Sequence, residues 1–383
     1  MEKIFTSLGL MSGTSMDGID VSVINSDGKT DFNVILNKYF EYPNKLRLDL
    51  AILRDKISTV EDLKEYSSDI KFLEKEITLF HGKVVNEIII NKIYTIDLIG
   101  FHGQTIYHNS KERISKQLGD AHLLSQITKK KVIYNFREND LKNGGQGAPL
   151  APIFHNVMVN KYFSKEDKKK FKINILNIGG IANVTKISDI CFKKNGENYI
   201  EAKDIGPGNC LIDEWVRKKT NYYFDKDGLY AYTGKTDNFI LTQALENFEY
   251  SNFENTSLDI KNFDISFVRG LSIENGASTL TDLTGELISR YIISENNLPS
   301  IWIVCGGGRK NKYLMQSIKK KVNKTNNEII INPSEKYNIN GDFVESQAFA
   351  YIAIRSFLKL PISFPRTTFC KVPLTGGSII SNF

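Results

Sequence analysis

The sequence predicts an α/β protein of two similar domains, because two glycine-rich hairpins and one glycine-rich strand end recur along it. The first hairpin is residues 9–20, which lie between the strand-like runs 3–8 and 21–25. The second hairpin is residues 173–185, centred on Gly180, and a little under half of the 383-residue chain separates the two. This spacing indicates two domains of similar plan, each presenting a hairpin to a shared ligand.

The first hairpin has the composition of a phosphate-binding loop. Gly13 and Gly18 let the backbone approach a ligand closely, and backbone N–H groups with Ser and Thr hydroxyls suit phosphate oxygens. Asp17 and Asp20 would repel a phosphate unless a Mg²⁺ ion lay between them. A lone motif of this kind equally fits an ordinary glycine-rich turn, so the interpretation depends on the rest of the chain.

The third element is the triple-glycine loop, residues 306–308, which follows the apolar strand 301–305 and precedes a helical pattern. Backbone amides at a helix start can hold a ribose or an α-phosphate. Two phosphate hairpins and such a loop form the plan of a two-domain actin/hexokinase-like (ribonuclease H-like) ATPase fold with an interdomain cleft. A P-loop is excluded because five residues, not four, separate Gly228 from Gly234-Lys235-Thr236. No Gly-x-Gly-x-x-Gly opens a helix, which argues against a dinucleotide-binding domain.

Length and composition agree with two domains. At 383 residues the chain exceeds the usual size of one core, and we place domain I at residues 1–160 plus 350–383 and domain II at 161–349. Hydrophobic residues make up 41% and charged residues 25%, as in a soluble enzyme. The net charge of +6 comes from scattered lysines. Short clusters at 129–131 and 168–170 favour solvated surface over a nucleic-acid patch.

The remaining composition predicts a cytoplasmic protein. The N-terminus shows no signal peptide, and no apolar run reaches the roughly 18 residues that span a bilayer. The cysteines are far apart, show no metal-ligand spacing and are expected to be reduced. The oligomeric state stays open, and a homodimer is compatible with the sequence. The four cysteines are Cys191, Cys210, Cys305 and Cys370.

The rest of the pattern supplies the other elements of the fold. Residues 45–91 form a polar, helix-rich region, and short strands are predicted at 95–100 and 131–136. An apolar helix is predicted from residue 152 to about 163, and a final Ala- and Phe-rich helix from residue 345 to about 358. We expect the final helix to pack back onto the first domain.

Three polar clusters follow predicted strands, which indicates a ligand site at the carboxyl ends of those strands. They are residues 102–105, 137–140 and 204–209. In the last cluster Asp204 ends a strand, and the Gly-Pro-Gly-Asn turn after it leaves the carboxylate facing a ligand. The alternative is that Asp204 caps the following helix, since Asp is a favoured cap.

Three other side chains have two interpretations each. His102 and His108 could bind a metal, but no third ligand stands nearby, and a hydrogen-bonding role is favoured. Glu345 opens the final helix, where the helix dipole favours an acid in any case. Contact with a substrate and a purely helical role are therefore equal alternatives for Glu345.

Six sequence blocks occur in order across the whole chain. They are Gly-Leu-Met-Ser-Gly-Thr-Ser-Met-Asp-Gly-Ile-Asp at 9–20, His-Gly-Gln-Thr at 102–105, Gly-Gly-Gln-Gly-Ala-Pro-Leu at 144–150, Asn-Ile-Gly-Gly-Ile-Ala-Asn at 177–183, Asp-Ile-Gly-Pro-Gly-Asn at 204–209 and Cys-Gly-Gly-Gly at 305–308. This ordered set resembles the anhydro-N-acetylmuramic acid kinase family. The resemblance implies an actin-like ATPase-superfamily fold and a cytoplasmic role in peptidoglycan recycling and amino sugar catabolism. The implied reaction opens the 1,6-anhydro ring hydrolytically and phosphorylates O6, giving N-acetylmuramate 6-phosphate and ADP.

The resemblance also implies site residues. Asp204 would be the catalytic base, and Asp17 would hold Mg²⁺ through water. Arg137 is the natural partner of the lactyl carboxylate, because its guanidinium fork matches two oxygens. The predicted ATP-binding residues are Gly13, Thr14, Ser15, Met16, Asp17, Gly18, Ile19, Asp20, Gly179, Gly180, Asn183, Gly206, Gly208, Asn209, Gly306, Gly307 and Gly308, and the predicted sugar-binding residues are His102, Gln104, Thr105, Arg137 and Glu345.

Two departures from the family pattern concern substrate contacts only. Asn135 stands where the family commonly has Asp, and Ser257-Leu258-Asp259 lacks the Pro-Lys often found before it. The first alternative function is a kinase for a different sugar, in which Asp204 would deprotonate a hydroxyl group. The second is a nucleotide-switched assembly or regulatory module, which would have no need of a base facing the nucleotide.

Overall fold

The computed structural model describes residues 3–90, 95–188, 199–248, 257–295, 298–324 and 328–383. The chain forms two compact units. Unit 1 is Met1–Lys161 with Phe343–Phe383, and unit 2 is Tyr162–Asp342. Cys191, considered above for metal binding, lies outside the described residues.

The described strands and helices are numbered in chain order. The strands are β1 (Phe5–Ser12), β2 (Gly18–Ser26), β3 (Phe32–Glu41), β4 (Leu98–Asn109), β5 (Ile114–Leu118), β6 (Lys131–Tyr134), β7 (Lys172–Ile178), β8 (Ile181–Ser188), β9 (Tyr199–Pro207), β10 (Ser300–Cys305), β11 (Ile329–Pro333) and β12 (Ser378–Ile380). The helices are α1 (Asn44–Lys56), α2 (Val60–Glu65), α3 (Ser67–Ile90), α4 (Ala121–Thr128), α5 (Glu138–Lys142), α6 (Pro152–Tyr162), α7 (Lys165–Lys170), α8 (Cys210–Lys219), α9 (Leu229–Thr233), α10 (Asn238–Asn247), α11 (Ile273–Ser294), α12 (Lys312–Val322) and α13 (Val344–Phe357).

Both units contain the same arrangement of strands. In unit 1, β1, β2 and β3 are consecutive antiparallel strands, and β4 and β6 continue the sheet in parallel from β1. In unit 2, β7, β8 and β9 are antiparallel, and β10 and β11 continue in parallel from β7. Three antiparallel strands followed by two parallel ones form the ribonuclease H-like plan, so the predicted fold class is confirmed. Unit 1 adds β5 and β12 at the margins of its sheet.

The glycine-rich motifs lie further inside strands than the sequence predicts. β1 extends through Gly9 to Ser12, β4 runs on to Asn109, and β9 runs on to Pro207. The predicted strand ends at residues 8, 100 and 204 are therefore wrong. Ladder pairing explains the difference, because neighbouring strands hold each segment extended whatever its own propensity.

Close backbone approach explains two of these glycines. Helix α13 crosses β1 and β4 so closely that a Cβ on Gly9 would collide with the carbonyl oxygen of Ser346 and lie 2.6 Å from the nitrogen of Ala350. A Cβ on Gly100 would collide with the carbonyl oxygen of Phe349 in the same way. The predicted final helix is thus confirmed, and glycine is required in the strands beneath it.

Apolar side chains fill the space beside each sheet. In unit 1 an apolar cluster joins the inner residues of β1, β2 and β4 to α1, α3 and α4. In unit 2 one cluster lies between the sheet and helices α11 and α12, and a second joins α8, α10 and α11. Among the described residues, no helix combines the length and the hydropathy required to cross a membrane.

His81 on α3 is a buried titratable group in the unit 1 core. Its side chain is 0% exposed, Nδ1 donates to the carbonyl of Ile77 at 2.7 Å, and the rings of Tyr42 and Phe101 lie beside it. Burial lowers the pKa of His81 to about 4. His81 is therefore neutral in the folded protein at neutral pH.

We expect His81 to make the folded state sensitive to mild acid. The unfolded side chain titrates near pH 6.5 and the folded one near pH 4, so the unfolded state binds more protons between these values. The free energy of unfolding falls as pH decreases through this window, by about 1.4 kcal/mol per pH unit for one histidine. Urea unfolding at pH 7 and pH 5 should show a smaller decrease for His81→Leu than for wild type. Equal decreases would contradict the assignment.

Candidate active site

The turn of the first hairpin presents open backbone. Between β1 and β2, Met16 N–H donates to the carbonyl of Gly13 at 3.2 Å, and Ser15 Oγ donates to Asp17 Oδ1 at 2.5 Å. A Cβ on Gly13 would meet only Ser15 Oγ, 4.0 Å away. Arg54 of α1 donates to the carbonyl of Thr14 at 3.3 Å. The turn therefore has space for a ligand beside Gly13. Its backbone is held by Arg54, a residue that the sequence motif does not include.

The predicted sugar-binding residues His102 and Arg137 contact each other in unit 1. His102 Nδ1–H donates to the carbonyl of Gly103 at 2.8 Å, and Arg137 Nη2 donates to His102 Nε2 at 2.8 Å. Arg137 Nη1 also donates to the carbonyl of Gly147, at 2.7 Å, in the loop 144–150. Burial, with the Arg137 charge, lowers the pKa of His102 to about 3, so this histidine is a neutral hydrogen-bonding group.

Glu345 and Thr105 belong to the same unit. Glu345 lies in the first turn of α13, half-buried; burial raises the pKa of its carboxyl, and the charge of Arg137 acts in the opposite direction. Thr105 Oγ1 accepts a hydrogen bond from Gln117 of β5 at 3.2 Å. Unit 1 thus combines a cation, a neutral imidazole and a carboxyl of raised pKa, a set able to bind an anionic, hydroxyl-rich ligand.

Gln104 is placed differently from the other predicted sugar-binding residues. Its side chain is 1% exposed and its amide faces the first hairpin, with Nε2 donating to the carbonyl of Gly13 at 3.1 Å. His108, considered above as a metal ligand, pairs through Nδ1 with Ser115 Oγ at 2.9 Å. No cluster of three or more His, Cys, Asp or Glu side chains suited to a metal occurs among the described residues.

The second hairpin is locked to the start of α8 by backbone hydrogen bonds. Gly208 N–H donates to the carbonyl of Gly180 at 2.9 Å, and Asn209 N–H donates to the carbonyl of Gly179 at 2.8 Å. A Cβ on Gly208 would collide with the Gly179 carbonyl oxygen, whereas a Cβ on Gly179 would meet its nearest atom at 3.7 Å. Glycine is therefore required at 208 for packing, whereas at Gly179 a Cβ would make only ordinary van der Waals contacts.

The glycines of the triple-glycine loop also differ in the space beside them. A Cβ on Gly308 would collide with the side chain of Ile178, whereas a Cβ on Gly307 would have only Asn209 Nδ2 within 4 Å, at 3.8 Å. Arg309, whose side chain is 4% exposed, holds the loop by donating to the carbonyl of Gly306 at 2.8 Å. Its guanidinium also pairs with Glu335 at 2.6 Å and with Asp342 at 2.8 Å. Arg309 directly follows the three glycines, but no motif in the sequence marks it as part of the site.

Asp204 lies inside β9 and does not cap a helix. Helix α8 begins after Asn209, so the helix-cap alternative is wrong. Asn183 pairs with Asp204 and Ala182 with Gly206, which leaves Ile205 as an extra residue, and such bulges re-aim side chains. Asp204 Oδ2 accepts the N–H of Leu258 at 2.8 Å and lies 3.5 Å from Ser257 Oγ. Residues 257–259 were noted in the sequence without a role, and two of them hold this carboxylate.

Two ribonuclease H-like units with glycine-rich turns are an arrangement suited to nucleotide binding, and the sequence relatives of the chain are kinases. The family model for anhydro-N-acetylmuramic acid kinase matches residues 5–382. The chain is 52% identical to the enzyme of that name from Pelagibacter ubique (strain HTCC1062), over 100% of both chains. It is 34% identical to that of Agrobacterium fabrum, over 99% of this chain and 100% of the other. The chain belongs to the anhydro-N-acetylmuramic acid kinase family, and the predicted resemblance is confirmed.

The chain also resembles solved structures at much lower sequence identity. Hexokinase from Schistosoma mansoni complexed with glucose is 11% identical, with a TM-score of 0.40 over 91% of this chain and 85% of the other. The activator of the 2-hydroxyisocaproyl-CoA dehydratase from Clostridium difficile with bound ADPNP is also 11% identical, with a TM-score of 0.39 over 91% and 94% of the two chains.

Proposed function

We propose that the protein uses ATP to open the ring of 1,6-anhydro-N-acetylmuramic acid and to phosphorylate O6, giving N-acetylmuramate 6-phosphate and ADP. Family membership over the whole chain supports this reaction. The single observation that carries the mechanism is the carboxylate of Asp204, held at a β-bulge by the backbone of Leu258 at 2.8 Å. Because ATP is the phosphoryl donor, we place the reaction in the cytoplasm.

Asp204 acts as the general base for water. Asp204 accepts a proton from the water whose oxygen bonds to C1, and the C1–O6 bond breaks with its electron pair going to O6. O6 bonds to the γ-phosphorus, and ADP leaves with the electron pair of the broken P–O bond. Transfer to O6 as it departs avoids a free alkoxide. Positioning and charge neutralisation contribute most of the catalysis of phosphoryl transfer.

The glycine turns of each unit support a role in binding ATP. Backbone N–H groups at these turns suit phosphate oxygens, and the missing side chains leave space for them. Asp17 would hold Mg²⁺ through water. Such a site suits Mg²⁺, because this ion usually keeps several water ligands and needs few protein ligands. The bound ion would neutralise part of the phosphate charge. The proposed ATP-binding set is residues 13–20 with Gly179, Gly180, Asn183, Gly206, Asn209, Gly306 and Gly307. Gly208 and Gly308, also in the predicted set, are proposed to shape the turns, because the N–H of Gly208 is bonded to the Gly180 carbonyl and a Cβ on Gly308 would collide with Ile178.

The sugar is proposed to bind in unit 1. Arg137, oriented by the Gly147 carbonyl, pairs with the lactyl carboxylate. Three further side chains are proposed to form hydrogen bonds with the sugar. His102 is bonded to Arg137, and Thr105 lies on the same strand as His102. Glu345 is close enough to Arg137 for the arginine charge to affect its pKa. Gln104 is assigned a different role below.

A matched pair of substitutions tests the triple-glycine loop. Gly307→Ala should leave stability unchanged and raise the KM for ATP about tenfold, equivalent to about 1.4 kcal/mol, because its methyl group enters the open space. Gly308→Ala should lower the free energy of unfolding by about 1–3 kcal/mol, because its methyl group collides with Ile178. Urea unfolding and ATP titration of both variants are the measurements. An exchange of the two effects would contradict the proposed orientation of the loop.

The proposed function is tested by comparing two sugars. The protein is incubated with ATP and Mg²⁺ and either anhydro-N-acetylmuramate or N-acetylmuramate, and ADP and sugar phosphate are measured. We expect phosphorylation of the anhydro sugar only. Phosphorylation of N-acetylmuramate would support a kinase that deprotonates a hydroxyl group, and ATP hydrolysis without any sugar phosphate would support a nucleotide-switched module.

A further inference from the structure

We propose that Gln104 is a positioning residue for the ATP-binding turn of the first hairpin and does not contact the sugar. The proposal rests on the proposed function and deepens it, because it assigns a group on the strand of His102 to the nucleotide. It follows from a buried hydrogen-bond network, formed by Tyr42, Ser12 and Gln104, in unit 1.

All polar atoms of the Gln104 amide have partners within unit 1. Nε2 donates to the carbonyl of Gly13 at 3.1 Å and to the carbonyl of Thr105 at 3.3 Å. Oε1 accepts the hydroxyl of Ser12 at 2.5 Å. Both amide protons are thus used, and the side chain is 1% exposed. Oε1 keeps a second acceptor site, but at this degree of burial a sugar hydroxyl could reach it only if the surrounding side chains moved.

The network continues from Ser12 to Tyr42. Tyr42 Oη donates to Ser12 Oγ at 2.9 Å, and both side chains are 2% exposed. Burial raises the pKa of Tyr42, which keeps the phenol protonated as a donor. Ser12 Oγ also lies 3.1 Å from the carbonyl of Gly18, on the far side of the turn. The single proton of Ser12 can serve either Gln104 or Gly18, and with the shorter bond to Gln104 formed, the network connects the start of the turn to β4.

A β-bulge gives Gln104 its orientation. Leu10 pairs with Phe101 and Ser12 with Gln104, so β4 has one residue more than β1 over this interval. Gly103 adopts a φ of +73° there, which glycine tolerates well. The extra residue turns the Gln104 side chain towards Ser12 and Gly13, as bulges beside active sites commonly do.

Holding the Gly13 carbonyl also sets the direction of the next amide. A trans peptide is planar, so the N–H of Thr14 points opposite to the carbonyl of Gly13. With that carbonyl bound to Gln104 Nε2, the Thr14 N–H is directed away from the network. A backbone N–H fixed in advance in this way binds a phosphate oxygen without the cost of ordering the turn.

The test uses Gln104→Met, which keeps side-chain length and removes every donor. Calorimetric titration of the full chain with a non-hydrolysable ATP analogue and Mg²⁺, without sugar, measures nucleotide affinity in the absence of turnover. We expect Kd to rise about tenfold, while the KM for the anhydro sugar stays within about twofold. Ser12→Ala keeps the bond from Gln104 to Gly13 and should give a smaller rise, and it provides a second variant should Gln104→Met not fold. Thr105→Val is the matched control and should raise the KM for the sugar and leave nucleotide affinity unchanged.

Two results would overturn the proposal. The first is a raised KM for the sugar with unchanged nucleotide affinity in Gln104→Met, which would identify a sugar contact. The second is an equal loss of affinity for both ligands together with a lower midpoint of thermal unfolding, which would identify a purely structural role. Failure of the proposed function is distinguishable from either, because wild type would then bind the ATP analogue and leave the anhydro sugar unchanged.

Discussion

Replacing Asp204 by Asn is expected to lower turnover of the anhydro sugar by about 10²–10⁴-fold, the usual loss for a general base. The amide has the shape of the carboxylate and its oxygen can still accept the N–H of Leu258, so the fold around β9 should persist. It cannot take a proton from water. The measurement is kcat for sugar phosphorylation at saturating ATP, with thermal unfolding recorded for the same sample.

Asp17→Asn is the matched control for Asp204→Asn. It lies in the turn of the first hairpin beside Ser15, and we expect it to weaken binding of Mg²⁺–ATP and leave sugar binding nearly intact. Asp204→Asn should show the opposite pattern, with normal nucleotide affinity. Near-normal turnover in Asp204→Asn would contradict the assignment of Asp204 as the base. Glu345 would then be the next candidate, because burial raises the pKa of its carboxyl.

Gly9→Ala is expected to have the largest effect on stability. The added methyl group would collide with the Ser346 carbonyl and lie 2.6 Å from the Ala350 nitrogen, both of them backbone atoms that cannot rotate away. Helix α13 must then shift from β1, and overpacking of this kind costs about 1–3 kcal/mol or more. Because α13 carries Glu345, we also expect activity to fall. Urea unfolding followed by circular dichroism measures the first effect.

Gly270→Ala is the control for Gly9→Ala. No atom lies within 4 Å of a Cβ at Gly270, and its backbone does not have a positive φ. The free energy of unfolding should change by less than about 0.5 kcal/mol, as for ordinary surface substitutions. Equal stability of Gly9→Ala and Gly270→Ala would contradict the close packing of α13 on β1.

The order of the elements could be predicted from the sequence, because hydrophobic runs and glycine clusters mark strands and turns locally. The residues at which the strands end could not be predicted. Gly9 and Gly100 interrupt an apolar run, so each was predicted to lie at the end of a strand, yet both continue in the sheet under α13. The requirement for glycine comes from a helix more than 240 residues further along the chain, and no local pattern contains it.

The sequence predicts which residues belong to the candidate site, but it predicts the role of each residue only in part. The motif predicts the same role for Gly307 and Gly308. In the structure Gly307 has room for a side chain, whereas Gly308 packs against Ile178. Asp204 is held by Leu258, 54 residues further along the chain, through a backbone N–H that has no sequence signature. Gln104 illustrates the same limit, because the β-bulge before it decides which way its amide faces.

Attack of water at C1, with transfer of the γ-phosphoryl group to O6, is the central claim, and labelled water tests it most directly. The reaction is run with anhydro-N-acetylmuramate, ATP and Mg²⁺ in oxygen-18 water, stopped with borohydride to prevent exchange at C1, and analysed by mass spectrometry. We expect one oxygen-18 atom at C1 of the sugar and none in its phosphate group, with unlabelled product in the same water as the exchange control. Label in the phosphate, or none at C1 above the control, would contradict attack of water at C1 with transfer of the γ-phosphoryl group to O6.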